Sequence, residues 1–418
     1  MNVLIKSAVI IDKNSSFHKK KCDILIEKGM ITKIATSIKN DQKFREIELE
    51  NLHVSNGWFD TSVSFGEPGY EDRETIDNGL KTASRSGFTA VAVNPNTTPK
   101  IDNKSAVEFL INKANGNITN LYPIGNLTKN AEGIEMAELY DMQNSGAVAF
   151  GDYNKPISNA NLMKVALLYA QNFNGLVMSF PQDNSIARDG LANEGENSTK
   201  LGLKGIPALA EELQISRDLF LLEYTGGKLH IPTITTATSV RLIKDAKKKG
   251  LDVSCSVSAH HLTLTDTELH GFNANVKVTP PLRTQKDVKA LIKGVEDGTI
   301  DMITSDHNPI DIEHKKVEFN NAKFGTIGLE SLFGVLSNKI SIEKLINCLS
   351  ENPKNRFGLK ATSINEGEIA DITLFNPNIE SIFTESNILS TSKNSAFLNK
   401  KLYGKVYGII AKNKLAIN

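Results

Sequence analysis

Two rhythms alternate along this chain. Short runs rich in Val, Ile and Ala, such as "TAVAVNP" (Thr89–Pro95) and "LDVSCSVSA" (Leu251–Ala259), read as buried strands. Between them lie stretches whose apolar residues sit three and four apart, the spacing of one helix face. From Leu52 onward the strand runs are "LHVSNGWFDTSVS", "TAVAVNP", "NLYPIGNLT", "AVAFGD" and "GLVMSF". Either "LFLLEYT" or "KLHIPTI" follows, then "LDVSCSVSA" and "IDMITSDH". The helical stretches are "RETIDNGLKTASRSG", "KSAVEFLINKANG", "MAELYDMQNSG", "NLMKVALLYAQNF", "IPALAEELQISRD" and "TSVRLIKDAKKKG". About eight strand–helix units predict a parallel (β/α)₈ TIM barrel. A doubly wound open sheet is the competing α/β arrangement, but no GxGxxG or phosphate-loop signature stands at a strand–helix junction.

Both ends of the chain read differently. "VLIKSAVII" and "CDILIEKGMITKIA" are strand-like, with "EKG" as a hairpin turn, and strand pattern returns after Gly367 in "EIADITLFNP" and "KVYGIIAKNKLAI". The expected organisation is a barrel over residues 55–365 and a small composite β-sandwich domain built from 1–54 and 366–418. The longest stretch without periodicity, Pro181–Gly205, follows a strand end, where it reads as an active-site lid or as an exposed loop.

Composition narrows the function. Of the 418 residues 40% are hydrophobic and 23% charged, and 48 basic residues balance 48 acidic ones. Zero net charge argues against broad binding to nucleic acid or to an anionic membrane. The basic run "KDAKKKG" (Lys244–Gly250) reads as a solvated last helical turn, favoured by the helix dipole. Cys22, Cys255 and Cys348 are far apart and form no CxxC, which fits a reducing cytoplasm. No signal peptide and no membrane span are expected.

Barrel chemistry belongs at the C-terminal strand ends. Those ends offer Ser62 and Ser64, Asn94 and Asn96, Asn126, Asp152, Phe180, Thr233, the pair His260–His261, and Asp306 with His307. A hydrolytic metal site needs several His, Asp or Glu ligands with one open position, and this inventory is thin. Asp306 in "TSDHNP" is a candidate general base, or a loop aspartate holding backbone NH groups. Asp152 in "FGDYNKP" reads equally as a ligand or as an Asx turn. His260 and His261 read as one inward and one outward imidazole, or as loop histidines held by hydrogen bonds. His230 reads as packed within its strand, and His18, His53, His270 and His314 fall away from the strand tips.

These pieces resemble the bacterial dihydroorotases, in the cyclic-amidohydrolase branch of the amidohydrolase superfamily. The resemblance runs nearly end to end. It is sharpest in "GWFDTSVSFGEPGYEDRETIDNGLKTASRSGFTAVAVNPNTTP", "GLKGIPALAEELQISRD", "PPLRT", "DGTIDMITSDHNP", "FGTIGLESLF" and "ENPKNRFGL". It implies a (β/α)₈ barrel with a composite β-sandwich, and reversible dihydroorotate ring closure at one or two zinc ions.

Matched position by position, the resemblance also implies that the zinc site is dismantled. The first-strand His-x-His falls on Ser62 and Ser64, the histidine after the fifth strand on Phe180, and that of the sixth strand on Thr233. Asp152 and the catalytic aspartate, Asp306, remain. Gly66 stands for the carboxylate-binding arginine, Ile310 for a histidine and Thr279 for an asparagine; Asn96 is kept, and His307 lies beside Asp306 in the pocket. No metal cofactor is therefore expected, with zinc reserved for the reading in which hydrolysis survives. The expected function is that of a non-catalytic pseudo-dihydroorotase supporting aspartate transcarbamoylase assembly, as a homo-oligomer or hetero-oligomer. The rivals are an active dihydroorotase or related cyclic amidohydrolase with an atypical metal site, and a small-molecule sensor pocket in the barrel mouth.

Overall fold

The computed structural model describes residues 1–418. Eight strands form one sheet in chain order: β1 (Trp58–Val63), β2 (Phe88–Val93), β3 (Asn120–Gly125), β4 (Ala149–Phe150), β5 (Leu176–Met178), β6 (Lys228–Ile231), β7 (Val253–Ser258) and β8 (Met302–Thr304). Every adjacent pair is parallel. Strands β1, β2 and β7 are buried along their length, covered on both faces; β2 therefore reads as a nearly unbroken apolar run, whereas β1 buries Asp60, Thr61 and Ser62 and β7 buries Ser254, Ser256 and Ser258.

The sheet curls until β8 meets β1. Ser64 donates its amide to the carbonyl of His307 at 2.7 Å, and Val63 bridges His307. Asp60, fully buried within β1, holds the seam by accepting from the Ser62 amide at 3.1 Å and the Ser305 amide at 3.0 Å. The molecule is thus a (β/α)₈ barrel. Its helices are α1 (Ile76–Arg85), α2 (Lys104–Lys113), α3 (Leu139–Asn144), α4 (Ala160–Ala170), α5 (Ala208–Thr225), α6 (Ala237–Lys248), α7 (Gln285–Glu296) and α8 (Ile342–Leu349). Most obey ordinary helix chemistry. Thr75 caps α1 by accepting from the Asn78 amide, and Ile76, Leu80 and Ala83 turn inward.

Helix α5 departs from that rule. "LFLLEYT", read as a possible strand, forms its last two turns, and the strand is "KLHI". The run misleads because α5 is apolar on both sides: Ile215, Leu219 and Leu222 face the core while Leu209, Leu213, Phe220 and Tyr224 face out.

Strands from both termini share a second sheet. Its order is Lys414–Ile417, Lys405–Ala411, Ile372–Asn376, His53–Asn56, Asn2–Ile10, Lys21–Glu27 and Met30–Ala35, with Arg45–Ile47 also paired to Asn2–Ile10. The run "LHVSNGWFDTSVS" therefore holds two strands of different sheets, divided at Gly57. A Cβ at Gly57 would lie 2.2 Å from Thr89 Oγ1 and 2.3 Å from Asp371 Oδ1, so only glycine allows the two bodies to close there. Trp58 follows at once, packed on Phe88, Phe333 and Phe375, with its indole NH donating to Ser55 Oγ at 2.9 Å.

The stretch Pro181–Gly205 is folded. It holds two short helices, Asn184–Ala187 and Glu196–Leu201, and the parallel strand pair Ala192–Asn193 with Gly205–Ile206. Arg283, from "PPLRT", is buried beneath it and donates to Asn193 Oδ1 at 2.9 Å and to the Ile206 carbonyl at 2.7 Å.

Candidate functional site

A cavity opens at the C-terminal ends of the barrel strands. Ser62, Asn94, Asp152, Tyr153, Phe180, Thr233, Thr279 and Asp306 line it, with Ile124 and Met178 beneath. It admits the centre of a water molecule over only about 20 Å³, room for about one water. Ser62, Asp152, Phe180, Thr233 and Asp306 are thus brought together from five strand ends. Asn96 and His307 lie outside the cavity lining, and Ser64 sits just behind it.

The polar groups here mostly satisfy one another. Asn94 donates from one amide nitrogen to Ser62 Oγ at 3.1 Å and to Ser64 Oγ at 3.3 Å. Ser62 in turn donates to Asp306 Oδ1 at 3.2 Å. Asp152 accepts from the amides of Leu127 at 2.9 Å and Thr128 at 3.1 Å, from the Asn126 side chain at 3.3 Å, and from the Thr128 hydroxyl. Burial still raises its pKa, against those bonds. Asp152 is therefore both cavity wall and turn-former.

Asp306 carries the least support. Its carboxylate accepts only the Ser62 hydroxyl, and burial pushes its pKa up to about 7; that hydrogen bond lowers it and the Asp60 charge adds to the rise. Asp60 itself is raised to about 6 by burial, opposed by bonds from Ser305 and Ser62. The imidazole near Asp306 is that of His260, with Nε2 3.8 Å from Asp306 Oδ2 and neither ring nitrogen hydrogen-bonded. Burial, then the adjacent His261, holds His260 far below the usual histidine range. His261 is satisfied: Nδ1 meets Ser258 Oγ at 2.7 Å and Nε2 the Pro280 carbonyl at 2.9 Å.

His307, although next to Asp306 in sequence, turns the other way. Its Nδ1 accepts from the Gly328 amide at 3.3 Å, and burial holds its pKa down at about 4. Asn96 is half-buried, with its Oδ1 unpartnered. His230 is buried against Ser254 and Ser256 inside the barrel. Two residues escaped the sequence reading. Asp60 is tied to a strand 245 positions away, which no local pattern reveals. Tyr153 follows Asp152 in the same tight turn; burial first, then the Asp306 carboxylate, pushes its phenol above the usual range.

Three of the lining residues, Tyr153, Thr233 and Asp306, adopt left-handed backbone conformations, with φ of 55°, 53° and 46°. For β-branched Thr233 this costs of order 1–3 kcal/mol, strain of the kind that collects at functional sites. The arginine position tells the opposite story. A Cβ on Gly66 would lie 1.8 Å from the Tyr70 carbonyl oxygen, so this loop is built around a residue with no side chain.

Zinc wants three or four nitrogen, sulfur or carboxylate ligands at a common point. No three His, Cys, Asp or Glu side chains are so grouped anywhere in the chain. Asp152 is engaged by its own turn, and the other lining positions are hydroxyls, an amide and apolar groups. The residues present do not fit the zinc centre.

The sequence model of the family described as Dihydro-orotase-like matches residues 53–239. The chain is 40% identical over 412 residues to a dihydroorotase of Ruminiclostridium cellulolyticum, covering 97% of this chain and 96% of that one. It is also 40% identical to a dihydroorotase of Caldicellulosiruptor saccharolyticus, covering 99% and 98%. Among solved structures, an L-hydantoinase (dihydropyrimidinase) from Arthrobacter aurescens superposes with a TM-score of 0.88 at 19% identity, covering 100% of this chain and 96% of that one, a likeness of fold. With the barrel, its mouth and this end-to-end identity in hand, the chain belongs to the dihydroorotase-like family.

Proposed function

We propose that this protein is a non-catalytic dihydroorotase homologue of pyrimidine biosynthesis, working in the cytoplasm as an assembly partner of aspartate transcarbamoylase. The observation that carries the non-catalytic reading is the donor set at the barrel mouth: two carboxylates, one of them saturated by hydrogen bonds, and a single nearby imidazole, His260, so that no three candidate ligands converge. Family hydrolysis needs a metal to ionise water. Unassisted water stays near a pKa of about 15.7 rather than about 7, a handicap on the order of 12 kcal/mol. Asp306 cannot make up that difference, since a base with a pKa of about 7 matches bound hydroxide only where the cation exists.

The test is direct. Purified protein is assayed for dihydroorotate hydrolysis with added zinc, and its metal content is measured. Neither turnover nor stoichiometric metal is expected. Ser62→His with Ser64→His is expected to remain inactive, because Phe180, Thr233 and Gly66 are unchanged. Affinity capture from the native host then tests the partner: recovery of the transcarbamoylase supports it, and repeated failure to recover it removes it.

A second reading is favoured by the pair at the seam. Asp306 and the unpartnered His260 could share a weakly held cation and serve an atypical cyclic amidohydrolase. Stoichiometric zinc that is lost in His260→Ala would establish that reading and end the first.

A further inference from the structure

One cavity away from the mouth is lined in the manner of a ligand site. It lies between the end of α1, residues 329–336 and the strands Lys401–Leu402 and Lys405–Ala411, where the barrel meets the sheet made from both termini. It admits the centres of water molecules over about 440 Å³, against about 20 Å³ at the mouth. Concave spaces of this scale at the junction of two bodies are where small molecules usually bind. Arg85 and Ser86, which contribute to its lining, stand just before β2 begins, at the opposite end of that strand from the mouth.

The lining has two characters. Leu329, Phe333, Phe383, Leu402 and Val406 give it apolar walls. Its charged residues are Arg85, Lys405 and Glu330. Arg85 uses one guanidinium nitrogen on the Ile417 carbonyl at 2.7 Å and the Asn418 side-chain oxygen at 3.4 Å, and Lys405 has only the Tyr407 ring, 5.8 Å away. Neither cation forms an ion pair. Glu330 works through Oε1 alone, accepting from the amides of Leu389 at 3.2 Å and Ser390 at 3.0 Å and from the Ser390 hydroxyl at 2.6 Å. Its Oε2 is buried without a partner. So is the hydroxyl of Ser86, a residue only 5% exposed. Buried polar atoms left unmet are uncommon and costly.

The chemistry of a matching guest follows. Two cations against one carboxylate favour an anionic group, and charge-assisted hydrogen bonds to it are the strong ones. The apolar walls, with the rings of Phe333 and Phe383, favour an aryl body. Glu330 Oε2 can only accept, so the guest must bring an N–H or O–H; the Ser86 hydroxyl can donate or accept. A neutral apolar guest would leave both cations unmet. A bare inorganic anion would leave the apolar walls wet.

We propose that this cavity binds a small aromatic acid, with its aryl body against the apolar walls, its anionic group at Arg85 and Lys405, and an N–H or O–H donated to Glu330. The site is separate from the barrel mouth, so its failure leaves the reading of the mouth standing, and the converse holds.

Anthranilate, a benzoate with an adjacent amino group, is the probe. Calorimetric titration of the full-length protein is expected to show one saturable site of submillimolar affinity. Trp58 is the only tryptophan, wholly buried, with its ring centre 5.0 Å from that of Phe333. Protein carrying fluorotryptophan there gives a single fluorine resonance, which should move as anthranilate is added. Lys405→Glu should weaken binding by about tenfold or more and leave the circular dichroism unchanged, because Lys405 is exposed. Arg85→Gln should weaken it as well, and Ser62→Ala at the mouth should not. Aniline, without the anionic group, should not bind, and benzoate, without the amino group, should bind several-fold more weakly. A titration without saturable heat, binding indifferent to both Lys405→Glu and Arg85→Gln, or aniline as tight as anthranilate would overturn the proposal. So would binding lost in Ser62→Ala, which would put the acid in the barrel mouth.

Discussion

The barrel mouth and the α4–α5 wall handle their side chains in opposite ways. In the mouth, buried polar groups are consumed by neighbours: Asn94 holds two serines, Asp152 shapes its own turn, and Asp60 closes the seam. On the wall, large apolar side chains such as Leu209, Phe220 and Tyr224 stand mostly exposed. Groups already engaged in holding the fold have little left to offer a ligand, whereas exposed aromatics retain their full burial energy for a partner. The difference teaches that what the mouth has left to offer is confined to Asp306 and His260, while the wall keeps a contiguous apolar face exposed.

The mouth half of that comparison is tested most severely at Asp152. Asp152→Ala strands several buried donors, and a loss of about 3–4 kcal/mol in urea unfolding is expected. The sign decides the matter. A carboxylate poised for a ligand is usually a burden on the fold, and its removal stabilises. A more stable Asp152→Ala protein would show that this residue is held ready for chemistry.

Gly66→Arg comes next. The new Cβ collides with backbone at Tyr70 rather than with a movable side chain, so a cost of about 2–3 kcal/mol is expected. A neutral substitution, read by the same unfolding midpoint, would mean that the loop can still accept the carboxylate-binding residue of the family.

How much of this was legible follows the same division. The barrel strands announced themselves because both of their faces are buried, so runs such as "TAVAVNP" carry no polar alternation. The cluster of Ser62, Asp152, Phe180, Thr233 and Asp306 was legible because barrel topology puts strand ends at one mouth whatever residues occupy them. Long-range pairings were not. Neighbours in sequence, Asp306 and His307, point to opposite sides of the seam, and the imidazole beside Asp306 comes from another strand end, at His260. Helix α5 was half lost to a strand reading because the periodicity that marks a helix weakens where large apolar residues, here Leu209, Leu213, Phe220 and Tyr224, stand on the outer face.

Asp306 offers a smaller and pH-dependent effect. Its folded pKa of about 7 lies above the ordinary carboxylate value, so between about pH 4 and 7 the folded protein binds a proton that the unfolded chain has released. Stability from this group is therefore lost as pH rises through that window. Asp306→Asn keeps an oxygen for Ser62 and removes the titration. It should match wild type near pH 4 and gain on it steadily as the pH is raised to 8. The opposing contribution of buried His230, His261 and His307, whose pKa values are depressed, is common to both proteins and cancels. A constant difference across pH would refute the buried, unsupported carboxylate described above.

The wall half of the comparison makes the smallest claim about folding and is sharpened by it. Phe220 contributes little to the monomer, since most of its ring is in solvent. Phe220→Ala should therefore change monomer stability by no more than about 0.5 kcal/mol, against the 3–5 kcal/mol typical of a buried phenylalanine such as Phe150. The melting midpoint of Phe220→Ala should therefore lie close to that of the wild type. A clearly lower midpoint would show that Phe220 is serving its own helix, and the contrast between mouth and wall would collapse.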